Sequence, residues 1–144
     1  MKIFTIGFTK KTAEEFFEKL IKNDVNRVID IRLNNKSQLA GFAKSNDLKY
    51  FLAKLGNITY IHKPEFAPTD DLLKKYRDKK ISWLDYQYKY LELLEDRNTK
   101  SKININDFSN SALLCSEEKP EKCHRRLFSE YLKNNFDDIE IIHL

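Results

Sequence analysis

The sequence predicts an α/β fold: a single-domain three-layer sandwich with a mainly parallel sheet of about five strands. Three observations carry this. Short apolar runs near residues 2–6, 27–31, 58–61, 111–115 and 139–144 alternate with stretches whose apolar residues recur at helical spacing. The runs are mostly continuous rather than alternating, as strands covered on both faces require. The first strand, helix and second strand together span about thirty residues, the size of a βαβ unit.

A chain of 144 residues is expected to form one domain over residues 1–144, long enough to bury a core. Apolar content of 41% against 33% charged residues excludes a disordered chain. No apolar run approaches the roughly 20 residues of a membrane helix, so no membrane partner is expected. The apolar stretch after Met1 is too short for a signal peptide, which makes the cytoplasm the expected compartment. There, Cys115 and Cys123 are better read as free, metal-binding or catalytic thiols than as a disulfide. The net charge of +4 admits an anionic partner without demanding one, because no dense basic stripe is present.

In chain order, residues 2–6 form a strand closed by Gly7. Thr12 and Glu15 then fit a capping box ahead of a helix buried through Phe16, Phe17, Leu20 and Ile21, which ends near Asn23. The strand 27–31 carries Asp30 and is followed at once by Arg32, and residues 33–46 read as a loop. Leu48, Phe51, Leu52 and Leu55 mark a second helix, stopped by Gly56 or Asn57. After the strand 58–61, Pro64 and Pro68 forbid a continuing central strand. Thr69 caps a helix opening on Asp70 and Asp71, whose carboxylates suit the helix dipole. Ser82 and Asp85 begin a Tyr-rich helix with Trp83 that runs to Glu95 or Asp96. Residues 98–110 lack a period and read as a loop or insertion.

The remainder concentrates the chemistry. The strand 111–115 ends in Cys115, a polar loop follows, and Pro120 suits the first position of a helix through Cys123, His124, Arg125 and Arg126. His124 falls in the stripe of Leu127, Phe128, Tyr131 and Leu132, so it is aimed inward toward Cys115, while Arg126 points nearly opposite. In a parallel sheet the C-terminal strand ends gather on one edge, where open α/β sheets bind ligands. That edge would collect residues 7–11, 32–36, 62–65, 115–117 and His143.

Several ordered motifs resemble one family across nearly the whole chain. They are Thr5-Ile6-Gly7-Phe8-Thr9, Val28-Ile29-Asp30-Ile31-Arg32, His62-Lys63-Pro64-Glu65, Leu113-Leu114-Cys115-Ser116-Glu117, Cys123-His124-Arg125-Arg126 and Ile142-His143-Leu144. Together they resemble the domain of unknown function 488 family. The resemblance implies a compact α/β fold and points at the residues singled out above, but supplies no reaction. Phe8 stands where many members carry a histidine, so no role for that histidine is transferred.

Function must therefore come from the residues. Cys115 is the candidate nucleophile, with the following helix, His124 and Arg125 able to favour its thiolate. A cysteine at a strand end before a loop and helix is similar to rhodanese and cysteine-phosphatase sites. Against that likeness, this loop lacks glycine, and Glu117, Glu118 and Glu121 would oppose an anion. The competing reading makes Cys115 a small buried hydrophobe. Cys115, Cys123, His124 and His62 suit zinc chemically. Their spacing does not fit a compact knuckle, and adjacent helical residues would point about 100° apart, so no metal is expected. Arg32 and Arg125, with Lys10, Lys11 and Lys36, could hold a phosphate or carboxylate, or simply pair with Asp30, Glu65 and Glu117.

His62 and Glu65 are candidates for proton transfer. Gly7, Thr9 and Asp30 would line the pocket, Asp30 alternatively orienting Arg32. The Tyr-rich helix reads as packing surface before it reads as a base-stacking platform. The expected function is a small cytoplasmic enzyme, a thiol-dependent transferase or hydrolase acting on an anionic substrate. The rivals are a non-catalytic module binding an anionic ligand or nucleic acid, and a structural zinc site. No cofactor, reaction or oligomeric state is indicated.

Overall fold

The computed structural model describes residues 1–36, 41–117 and 119–144. Its strands are β1 (Lys2–Gly7), β2 (Arg27–Asp30), β3 (Thr59–His62), β4 (Ser111–Cys115) and β5 (Glu140–His143). Its α-helices are α1 (Ala13–Lys22), α2 (Ser45–Gly56), α3 (Asp70–Arg77), α4 (Trp83–Asp96) and α5 (His124–Asn135). The strands form one sheet in the order β3-β2-β4-β1-β5, and every pairing is parallel.

The helix starts follow local chemistry. The side-chain oxygens of Thr12, Thr69 and Ser82 accept from the backbone N–H groups of Glu15, Leu72 and Asp85, at 3.1, 3.2 and 3.1 Å. Each satisfies a donor that the helix itself cannot. α2 ends with Asn57 in the left-handed region (φ 52°), so Asn57 and not Gly56 provides the terminating turn.

Alternation along the strands divides the core into two layers. Phe4, Ile6, Val28, Ala112 and Leu114 face Phe16, Phe17 and Leu20 of α1 with Leu48 and Leu52 of α2. On the other face, Ile3, Ile29 and Leu113 meet Tyr86, Tyr90 and Leu94 of α4 with Leu127, Phe128 and Tyr131 of α5. The three-layer arrangement follows directly from this division.

Two expectations need correction. Residues 98–110 are not a featureless loop: two 3₁₀ turns, Thr99–Lys102 and Ile105–Phe108, carry Phe108 into the α4–α5 core. Single-turn elements have too few residues to display a period. Pro120, for its part, does not open α5. Its carbonyl accepts from the Cys123 N–H at 3.2 Å and closes a separate turn, after which Cys123 is extended (φ −136°, ψ 142°) and the helix begins at His124. The loop expected over 33–46 lies partly, and Glu118 wholly, outside the described residues.

A buried Cys–His–Cys centre at the sheet edge

Cys115 is the last residue of β4, the central strand, and pairs in register with Gly7 of β1. Leu113 faces α4 and α5, so Cys115, two residues on, faces the same way. His124 opens α5 directly against it, with Nδ1 3.6 Å from the Cys115 sulfur. The other ring nitrogen, Nε2, lies 2.8 Å from the Ile31 carbonyl oxygen. A carbonyl only accepts, so Nε2 carries a proton and donates it. Nδ1 is then the nitrogen free to exchange a proton with the thiol.

Cys123 completes the group: Cys115 Sγ, Cys123 Sγ and a His124 ring nitrogen all lie within 4.8 Å of one another. Both cysteines are free thiols, each 3% exposed. The separation of about 100° expected for neighbouring helical residues does not apply, because Cys123 precedes the helix with an extended backbone. Among the described residues this is the group that could hold a metal ion. His62 is not part of it.

The electrostatics divide the two thiols. A hydrogen bond from Cys123 is the largest influence holding Cys115 well below the usual thiol range; burial opposes it, and the charge and hydrogen bond of His124 add to it. Burial pushes Cys123 well above that range, reinforced by its bond to Cys115 and the latter's charge. For His124, burial acts to lower the pKa, but the facing Cys115 outweighs it with help from the Ile31 carbonyl, and the net shift is upward. Of the two thiols, Cys115 is thus the one whose thiolate is favoured, and His124 beside it is shifted toward its protonated form.

Neighbouring aromatic residues pack around this centre. The Tyr90 ring meets the His124 ring edge-on, centroids 5.9 Å apart, while its hydroxyl donates to the Phe66 carbonyl at 2.6 Å. Tyr86 is buried nearby, and its pKa is raised by burial and then by the two cysteines. Neither tyrosine was assigned to the site by sequence reasoning. Their inward spacing with Leu94, at i, i+4 and i+8, was the signal that could have found them.

The strand-end cations are used inside the fold. Arg125 is fully buried and donates to the Glu117 carbonyl through Nη1. Gly7 lies beneath that bond. A Cβ at Gly7 would overlap the Glu117 carbonyl oxygen and stand 2.6 Å from Arg125 Nη1. The Thr9 N–H and hydroxyl both donate to the Ser116 carbonyl, at 3.1 and 2.5 Å. Gly7, Thr9 and Arg125 therefore all bear on the two residues that follow Cys115.

Asp30 and Arg32 form a different site. Asp30 pairs in register with Leu114, so the pleat turns it to the α1–α2 face, opposite Cys115. Arg32 grips it through Nε and Nη2 at 2.8 and 2.7 Å, also donates to the Ala43 carbonyl at 2.8 Å, and lies over the Phe8 ring. The Tyr60 hydroxyl donates to Asp30 at 2.6 Å. Burial, then that bond, pushes its pKa up to about 12. This is the ordinary ion pair weighed against anion binding. His62 stands beside Asp30 in register and donates from Nε2 to the Arg32 carbonyl at 2.8 Å. Glu65, itself exposed on a 3₁₀ turn (Pro64–Phe66) whose Phe66 is buried, pairs with Lys63 at 3.4 Å. The expected edge thus divides by sheet face into a thiol–imidazole centre and a carboxylate–guanidinium network, and His62 and Glu65 do not join the first.

The fold and this centre define an α/β protein with a buried thiol–imidazole group at the C-terminal edge of its central strand. Residues 12–132 match the family described as "Domain of unknown function DUF488", and the chain belongs to that family. It is also 27% identical to the small ribosomal subunit protein mS35 of Schizosaccharomyces pombe, over 70% of this chain and 43% of that protein. The chain thus spans less than half the length of that relative. No solved structure matches. Among the described residues, no helix is long and apolar enough to cross a membrane.

Proposed function

We propose that the protein is a small thiol-dependent enzyme, a transferase or hydrolase, in which Cys115 attacks an electrophilic centre and His124 holds and returns the proton. The observation that carries this reading is the fixed imidazole: Nε2–H is committed to the Ile31 carbonyl, leaving Nδ1 3.6 Å from the Cys115 sulfur. A nucleophile beside a base that a third group orients is the arrangement covalent catalysis needs. The imidazolium formed when Nδ1 takes the thiol proton keeps its bond to the same carbonyl, so the ring need not turn. The anionic substrate expected from Arg32 and Arg125 is not carried into the proposal, since both spend N–H groups on protein acceptors.

The test is the rate of Cys115 alkylation against pH, located by mass spectrometry, with and without a chelator. Fast labelling below pH 7, lost in Cys115→Ser, is the expected result. Labelling released only by chelator would replace the enzyme with a metal site, and slow labelling throughout would make Cys115 a packing residue.

The likeness to a small ribosomal subunit protein favours a second reading, a non-catalytic module that binds RNA. Binding to RNA that weakens steeply with salt and is unchanged in Cys115→Ala would support it.

A further inference from the structure

We infer that Cys115 and Cys123 work together as a redox-active dithiol that exchanges with small disulfides, Cys123 serving as the resolving thiol. The inference rests on the reading of Cys115 as the reactive thiol and adds a second functional sulfur and a substrate class. A hydrolase or acyl transferase needs one nucleophilic thiol and one base. Here a second thiol stands within 4.8 Å of both. Cys123 reaches that place through its extended backbone at the start of α5, which directs it toward the strand end rather than around the helix. The turn that Pro120 closes ahead of it sets this geometry. Both sulfurs are reduced and retain slight exposure, 3% each. One imidazole nitrogen serves both, so His124 can accept a proton from whichever thiol is reacting.

The chemistry balances in two steps. The Cys115 thiolate attacks one sulfur of a disulfide R–S–S–R. The Cys115–S bond forms, the S–S bond breaks, and the departing thiolate takes the proton that the His124 imidazolium holds. Cys123 then gives its proton to Nδ1 and attacks Cys115 Sγ. The second thiolate leaves, takes that proton, and a Cys115–Cys123 disulfide remains. Two electrons have passed from the protein dithiol to the substrate disulfide, and a low-molecular-weight thiol would reverse the sequence. The order follows from the placement of Cys115, whose sulfur lies 3.6 Å from Nδ1, and the shifts agree with it, favouring the thiolate at Cys115 and the protonated thiol at Cys123.

The experiment treats the reduced, full-length protein with oxidised glutathione and follows intact mass and linked peptides. The wild type should lose two hydrogens and yield a peptide pair joined through Cys115 and Cys123. Cys123→Ser should instead stop at a stable glutathione adduct on Cys115. Cys115→Ser should form neither product. An adduct that persists equally in the wild type would overturn the dithiol while leaving Cys115 as a reactive thiol. No modification of the folded wild type, under conditions that modify the unfolded chain, would remove the reactive-thiol reading itself. A bound divalent metal, with disulfide formation only after chelation, would overturn the redox role in favour of a metal site.

Should Cys123→Ser fail to fold, the wild type alone decides the question in glutathione redox buffers. One transition to the linked peptide supports the dithiol; mixed disulfide without it refutes the dithiol.

Discussion

Gly7→Ala tests how the segment after Cys115 is held. The added Cβ would overlap the Glu117 carbonyl oxygen, lie 2.7 Å from the Glu117 carbonyl carbon and 2.6 Å from Arg125 Nη1. Two of these three neighbours are backbone atoms, so rotating a side chain cannot relieve the clash. Gly7 has no positive φ, and the whole effect is steric. Overpacking of this kind costs about 1–3 kcal/mol. Moving Glu117 also strains the two Thr9 bonds to Ser116, worth about 1 kcal/mol each, and the Arg125 bond to Glu117, worth about 1.5–3 kcal/mol.

With roughly half of that bonding lost, the total is about 3–5 kcal/mol. A domain of this size has only about 5–15 kcal/mol to lose. At a typical slope near 2 kcal/mol per molar, the urea midpoint should fall by about 2 M. Thr9→Ala, which removes only the side-chain bond, should cost about 1 kcal/mol. Because Gly7 and Cys115 are register partners, Cys115 should also become easier to alkylate in Gly7→Ala. A midpoint within about half a molar of the wild type, with unchanged labelling, would refute the tight packing of β1 against the segment after Cys115.

The remaining expectations address the two polar sites. Alkylation of Cys115 should have a midpoint below the ordinary thiol value of about 8.5, while Cys123 resists labelling until higher pH; His124→Gln should move the Cys115 midpoint upward. The linkage signs differ between the partners. The depressed Cys115 pKa gives stability that is present above about 8.5 and lost as pH falls through the folded value. The raised His124 pKa gives stability that is present below about 6.5 and lost as pH rises through its folded value. Urea unfolding across that range, repeated in Cys115→Ser, reads both. Arg32→Ala leaves Asp30 buried without its cation and should cost about 3–5 kcal/mol in urea unfolding; a loss under about 1 kcal/mol would show that the pair does not hold this edge. Ultraviolet titration should place one tyrosine near pKa 12, absent in Tyr60→Phe. Its raised pKa gives stability that is present below about 10 and lost as pH rises through 12.

The parts readable from sequence are those decided within a few residues. Thr12, Thr69 and Ser82 cap helices because each donor they satisfy lies three positions away. Cys115 and His124 meet because nine positions, a strand end and a helix start bring them together. Sequence and structure part where the outcome depends on register or on one backbone torsion. Asp30 and Cys115 both sit at strand ends, but only the pairing of Asp30 with Leu114 reveals that they face opposite sides. The spacing puts Cys123 on a helical path, whereas its extended backbone reverses the consequence for its sulfur. Arg32 looks available for a substrate until its bidentate grip on Asp30 is seen.

The order of the strands bears on how the protein is made. β1 and β2 are not paired with each other; β4 lies between them, and its residues leave the ribosome long after theirs. Until Ser111–Cys115 emerges, the nascent chain presents two apolar strands with unsatisfied edges, an invitation to wrong pairing that chaperones would have to cover. Closure of the sheet therefore depends on contacts between distant parts of the chain. The same insertion brings Cys115 into place between β1 and β2, so the thiol gains its imidazole partner only as the protein becomes whole. Fragments that end before β4 should be insoluble, and they lack Cys115, Cys123 and His124 altogether.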